Sequence, residues 1–293
     1  MSQKHIGENN IYYNKKLSNY SWFNLGGPAE ILFRPDNINQ LSIFLKDNNK
    51  EISLLGAGSN TLIRDGGVKG VTIKLSSKFS FIELENNNLI NVGAATLDKQ
   101  LSNFTVENSI EGFEFLSCIP GSIGGGIRMN CGCYGEEISK KLVSIVAIDF
   151  KGNIKEIPAN QIDFFYRGNN LPQDLIILSA KFKSVIGNKE KIKIKQLDLI
   201  NKKKLSQPSK IKTCGSTFKN TKLKKAWELI KESNCDKMYF GRAKISEKHC
   251  NFFVNEGLAT SFEIEELIKK VKFQVLEKTG IDLDLEIKII GNN

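Results

Sequence analysis

The chain has 293 residues, 40% hydrophobic and 25% charged, which is enough to bury a core in two or three compact units. It carries a formal charge of +10, six cysteines without a C-x-x-C spacing, and only two histidines, His5 and His249. Zinc chemistry and a Ser-His-Asp triad are therefore poorly supported; with no apolar leader and no bilayer-length apolar run, the expected location is the cytoplasm.

In chain order, residues 29–34 read as a strand and 39–46 as a helix with Leu41, Phe44 and Leu45 on one face. Strands at 52–55 and 71–75 follow, separated by the glycine loop Gly56, Ala57, Gly58, Ser59, Asn60 and by a turn at 64–67. From 79 the texture changes to hairpins, 81–85 with 89–92 and 145–150 with 154–157, around a helix at 98–108 and a second glycine loop from Pro120 to Gly126. A strand at 175–182 closes this part. The lysine-dense segment 189–204 reads as the solvated face of a connection, because apolar residues interleave the charges and no aromatic platform accompanies them, which argues against a nucleic-acid partner. In the last part, Thr260 and Glu263 form a capping box, and Ile264, Leu267, Ile268, Val271 and Val275 make one helical stripe that stops at Gly280. Residues 281–289 then alternate apolar and polar as a strand, with Glu286 on its polar face.

The two glycine loops suit a diphosphate. Closely spaced backbone N–H groups converge on an anion where no Cβ intervenes. A Rossmann site is excluded, because the position that would complete G-x-G-x-x-G is Thr61 and no helix is expected after the first loop. Neither loop ends in Gly-Lys-Ser/Thr, so a P-loop is excluded as well. Cys131 and Cys133 could form a redox pair, but two small buried thiols are the expected reading.

Eight blocks give these features an order: 22–29 (WFNLGGPA), 55–60 (LGAGSN), 119–125 (IPGSIGG), 129–135 (MNCGCYG), 166–167 (YR), 215–220 (GSTFKN), 246–255 (SEKHCNFFVN) and 285–291 (LEIKIIG). Over nearly its full length the chain resembles the UDP-N-acetylenolpyruvoylglucosamine reductase family, in its shorter subtype without the extra tyrosine-bearing insertion. The resemblance implies an α+β chain with a vanillyl-alcohol-oxidase-type (PCMH-type) FAD-binding fold of two subdomains, 1–78 and 79–200, and a C-terminal α+β substrate-binding domain, 201–284. The strand at about 285–293 would return to the first subdomain. It further implies noncovalent FAD, NADPH as electron donor, no metal, and hydride delivery to C3 of an enolpyruvyl UDP-sugar with protonation at C2, in peptidoglycan precursor synthesis. We expect a monomer without a membrane partner.

By the same resemblance Arg167, Ser216 and Glu286 are catalytic. Gly56, Ala57, Gly58, Ser59, Asn60, Pro120, Gly121, Ser122, Gly124 and Gly125 hold the cofactor, and Tyr166 and Lys219 contact substrate. Arginine suits a carboxylate because its planar fork holds two oxygens while staying charged; His249 reads as structural. Several positions depart from the family pattern: Asn169 and Thr221 stand where serine and proline are usual, and Gly126, Cys131 and Cys133 where alanines are usual. These departures bear on loop rigidity and substrate affinity. Another FAD-dependent oxidoreductase of the same fold, or a noncatalytic nucleotide- or anion-binding protein, are the alternatives.

Overall fold

The computed structural model describes residues 10–293; His5 and the start of the chain lie outside the described residues. Contacts divide the described chain into two compact units. One comprises 10–12, 32–57 and 71–202, and the other 13–31, 58–70 and 203–293. Ile11–Lys16, Pro28–Phe33, Val68–Ile73 and Ile52–Leu54 form one four-stranded sheet in that order.

The first unit is built on an antiparallel sheet in the order Ile154–Pro158, Leu142–Asp149, Leu175–Lys183, Leu89–Gly93, Ile82–Glu85. Its hairpin at 86–88 turns through Asn87 and Asn88 in the left-handed region, which asparagine tolerates because its side chain can bond locally. Ile90, Val92, Ile145, Ala147 and Phe182 bury one face of this sheet in a core with Leu101, Phe113, Ile123 and Ile127. Helix α1 (Ile38–Asp47) starts at Asn37, whose side chain accepts the Gln40 amide at 2.8 Å, and Phe44 stacks on Phe33 at 4.0 Å. Helix α2 (Asp98–Glu107) matches the expected element, whereas α3 (Ile123–Arg128) does not. That short helix begins inside the second glycine loop, where Gly124, Gly125 and Gly126 each cost about 1 kcal/mol relative to alanine, so propensity hides it. The lysine-dense connection is likewise a helix, α4 (Lys189–Ser206); Ile192, Gln196 and Leu199 are buried while its lysines face solvent.

The second unit holds the antiparallel strands Tyr239–Phe240, Ala243–Ile245 and Phe253–Asn255 with α5 (Ala226–Glu232) and α6 (Ser261–Thr279). The capping box of α6 forms as expected, its apolar stripe is buried, and Gly280 ends it at φ 69°. The turn at 64–67 is clamped to this helix: Arg64 donates twice to Glu265, at 2.8 and 2.9 Å, and Asp65 accepts both the amide and the hydroxyl of Ser261 at 2.8 Å. The expected strand 281–289 is shorter than its pattern. Leu283 and Ile287 are buried and Asp282, Asp284 and Lys288 exposed, yet a ladder exists only over Lys288–Ile290, which pairs in parallel with Thr61–Ile63. The partner strand is three residues long, and the preceding residues find only the isolated bridge between Leu285 and Phe218.

Candidate active site

In the first unit the two glycine loops meet at Ser122. A Cβ built on Gly56 would lie 3.2 Å from the Ser122 hydroxyl and one on Gly125 3.5 Å from it, and beyond the adjoining backbone neither would meet another atom of the described residues within 4 Å. Neither glycine takes a positive φ. The protein's own packing thus requires glycine at neither position, and a side chain there would fill the open space before the loops, as a closely approaching ligand would require. The amides of Ile123 and Gly124 are already spent on Thr96 O and Ala94 O, at 2.9 and 3.0 Å. Among the described residues, those of Ser122 and Gly125 have no protein acceptor and are the donors left for an anion. The residues present therefore fit a dinucleotide diphosphate.

Other loop glycines serve the fold. Gly58, in the second unit, has φ 71°, and a Cβ there would sit 1.8 Å from the Tyr20 carbonyl oxygen. At Gly121 it would sit 2.4 Å from Asp98 Oδ2, and at Gly124 3.0 Å from the Ala94 methyl.

Asp98 was not expected at the site. It opens α2 under Gly121, is fully buried, and neither carboxylate oxygen has a partner among the described residues. Burial pushes its carboxyl up to about 8. The folded chain then holds a proton that the unfolded chain loses near the ordinary value of 3.8, so this group's stabilisation is complete below about 4 and falls as pH rises through the window to about 8. We expect urea stability to decline over that window with a contribution of at most ~1.4 kcal/mol per pH unit that Asp98→Asn removes. Parallel pH profiles for the two proteins would contradict a protonated Asp98.

Arg167 and Tyr166 form the two-residue turn of a hairpin whose strands are Phe164–Phe165 and Gly168–Asn169. Arg167 takes φ 58°, a conformation that costs a non-glycine residue about 1 kcal/mol or more, and strain of this kind is a mark of functional turns. Its guanidinium is half-buried, donates to Gly132 O at 3.0 Å and lies 4.8 Å over the Tyr166 ring. Asn169, the departure from serine, ties this hairpin to the glycine-loop helix by donating to Ile127 O at 2.8 Å and Arg128 O at 3.2 Å.

Two further departures explain each other. A Cβ on Gly126 would lie 2.8 Å from Cys131 Sγ, so the larger residue at 131 takes the room of the missing methyl at 126. Gly126→Ala should cost about 1–3 kcal/mol by overpacking, and Cys131→Ala should relieve it, with a coupling energy on the order of 1 kcal/mol in denaturant titrations. Additive effects would disprove the compensation. Cys131 is buried, its thiol raised well above the ordinary value chiefly by burial, and Cys133 is half-buried with its Sγ donating to Phe115 O.

In the second unit, backbone bonds draw three of the expected residues together. The Glu286 amide donates to Thr217 O at 2.8 Å, next to Ser216, and Asn60 Nδ2 donates to Glu286 O at 2.9 Å. The Lys288 amide returns to Asn60 O at 2.9 Å. Ser216 and Glu286 are both half-buried, and Ser216 is presented after Gly215, whose φ of 79° needs glycine although its Cβ would meet nothing within 4 Å. Lys219 follows on the same segment, its amide bonded to Asp284 O at 2.8 Å. Thr221 replaces proline by closing a turn with its hydroxyl, which donates to Lys224 O and accepts from the Leu223 and Lys224 amides. His249 is half-buried against Phe252, accepts the Asn251 amide on Nδ1, and is lowered by burial, which makes it a neutral packing residue.

Known proteins resemble this chain over nearly its whole length. A family model for the FAD binding domain matches residues 29–157, and one for the C-terminal domain of UDP-N-acetylenolpyruvoylglucosamine reductase matches 207–290. A protein of that name from Pelagibacter ubique is 51% identical over 286 residues, 96% of this chain and 94% of that one. The chain belongs to the UDP-N-acetylenolpyruvoylglucosamine reductase family. A family member from Rickettsia akari is 47% identical over 97% of this chain and 96% of its own. The solved reductase from Thermus caldophilus superimposes with a TM-score of 0.84 at 28% identity, over 96% of this chain and 98% of that one. The fold is accordingly the PCMH-type FAD-binding fold with a C-terminal α+β domain, and the chain is an FAD-dependent oxidoreductase. Among the described residues no helix is long and apolar enough to cross a membrane, and no cluster could hold a metal ion.

Proposed function

We propose that Ser216, Glu286 and Arg167 carry the chemistry of this family member, which reduces the enolpyruvyl ether of UDP-N-acetylglucosamine to UDP-N-acetylmuramate for peptidoglycan synthesis. The observation that supports the assignment is the bond from the Glu286 amide to Thr217 O, which brings the chain segments bearing Ser216 and Glu286 together beside Asn60. FAD, when bound, would supply the hydride chemistry, with NADPH as the reductant and C3 of the enolpyruvyl group as the acceptor. The residues do the rest. Arg167 holds the substrate carboxylate and stabilises the negative charge that grows on C2 and that carboxylate, where a preorganised cation is most effective. Ser216 holds its hydroxyl proton for C2. Glu286 binds the same carboxylate, Tyr166 covers the substrate beside Arg167, and Lys219 meets the UDP phosphates.

The cofactor is held by the glycine loops at 56–60 and 120–125, the second through the amides of Ser122 and Gly125, within 1–78 and 79–200; residues 201–284 bind substrate, and about 285–293 returns to the first part, a division supported by the pairing of Lys288–Ile290 with Thr61–Ile63. FAD is noncovalent, since no histidine lies in either loop. The protein works as a cytoplasmic monomer. Anaerobic reduction by NADPH followed by addition of the enolpyruvyl UDP-sugar tests the reading: the flavin should bleach and then recover its absorbance. A bleached flavin that the substrate leaves reduced would sink it.

A further inference from the structure

Three strand ends in the first unit put two cations beside the first glycine loop. Gly56 comes two residues after Ile52–Leu54, which runs parallel to Val71–Ile73, and the Leu55 amide bonds Ile73 O at 3.0 Å. Lys74 directly follows that second strand, and its amide bonds Phe33 O at 3.0 Å, next to Arg34. Ligands meet open sheets containing parallel strands at the strands' carboxyl ends. The Lys74 ammonium donates to the carbonyl oxygen of Gly56, so its charge lies at the entrance of the loop that meets Ser122.

Among the described residues no carboxylate pairs with either cation, and Arg34 Nε is buried with no hydrogen-bond partner. The carboxylate of Asp36, which feels the charges of Arg34 and Lys78, bonds instead to Asn10 and Ser76. Burial first and the Arg34 charge second lower the Lys74 ammonium to about 8, which shows that its charged form is held at a cost. A lysine that keeps two N–H donors after meeting one carbonyl, backed by a second cation, is completed by an oxyanion.

We propose that Lys74, backed by Arg34, binds a phosphate oxygen of the FAD diphosphate, adding a charged donor to the backbone amides of the two glycine loops. The assignment rests on those loops holding FAD. It makes cofactor binding depend on charge as well as on amide geometry, and the lysine, at the end of a strand that reads as ordinary, carries no motif.

Deflavinated protein titrated with FAD, followed by quenching of flavin fluorescence, tests it. Lys74→Gln should weaken FAD roughly 10- to 100-fold, the range expected for one charge-assisted hydrogen bond, and should lower the salt dependence of binding. Lys74→Arg should keep most of the affinity, Arg34→Gln should lose less than Lys74→Gln, and riboflavin, which has no phosphate, should bind all four proteins alike. FAD affinity unchanged in Lys74→Gln, or an equal loss for riboflavin, would overturn the proposal. Should Lys74→Gln fail to fold, an Arg34→Gln protein with the wild-type FAD affinity and salt dependence, or with riboflavin losses matching those for FAD, would overturn it equally. Failure of the wild-type protein to take up FAD would instead overturn the loop assignment.

Discussion

Replacing Ser216 by alanine should leave reduction of the bound flavin by NADPH nearly unchanged and slow its reoxidation by the enolpyruvyl UDP-sugar about 10²- to 10⁴-fold, the usual contribution of a positioned general acid. The asymmetry follows from the role: a proton for C2 is needed only after hydride has reached C3. The substitution should not disturb the backbone, because Ser216 is positioned by its bridge to Phe252 and by the left-handed Gly215 before it, neither of which uses the hydroxyl. Stopped-flow absorbance follows the two halves separately. Equal slowing of both would make Ser216 structural, and normal reoxidation would remove it as the proton donor.

Valine at Gly58 and valine at Gly125 should both yield colourless protein, for different reasons. At Gly58 a side chain must take φ 71° and place its Cβ 1.8 Å from Tyr20 O, so the backbone of the loop has to move. The Trp22 amide, which bonds Gly58 O at 3.0 Å, would lose its acceptor as well. We expect a loss on the order of 3 kcal/mol or more in stability, with a lowered thermal midpoint and no flavin. At Gly125 the added atom meets only the Ser122 hydroxyl, 3.5 Å away, so the apoprotein should unfold near the wild-type apoprotein's midpoint and still bind little FAD. Circular dichroism melting with flavin absorbance separates the outcomes. A stable Gly58→Val protein with full flavin content would show that the loop tolerates the movement.

Glycine by itself therefore marked the two loops without saying what each glycine was for. Gly56 and Gly125 face open space, while Gly58, Gly121 and Gly124 are held by Tyr20, Asp98 and Ala94, contacts across 23 to 38 residues of chain that no local pattern contains. Asp98 illustrates the same limit. In the sequence it is an acidic residue at a helix start, a place where carboxylates are normally exposed, and only the tertiary structure buries it beneath Gly121. Arg167 was found through its block, but its left-handed turn and its contact with Gly132 O belong to the folded hairpin.

What the sequence by itself determined was the set of local elements with strong periodic or capping signals: α6 with Thr260, Glu263 and Gly280, the hairpin around 86–88, α1 with its face of Leu41, Phe44 and Leu45, and the ordered blocks that establish the family. These rest on interactions between residues a few positions apart, which sequence records directly. The tertiary structure alone decided that the alternating stretch after Gly280 forms a ladder only at Lys288–Ile290, that three consecutive glycines belong to a helix, and that Ser216 and Asn60 meet at Glu286. Each of those outcomes depends on a partner more than 20 residues away, whose packing and hydrogen bonds outweigh differences of about 1 kcal/mol in local propensity.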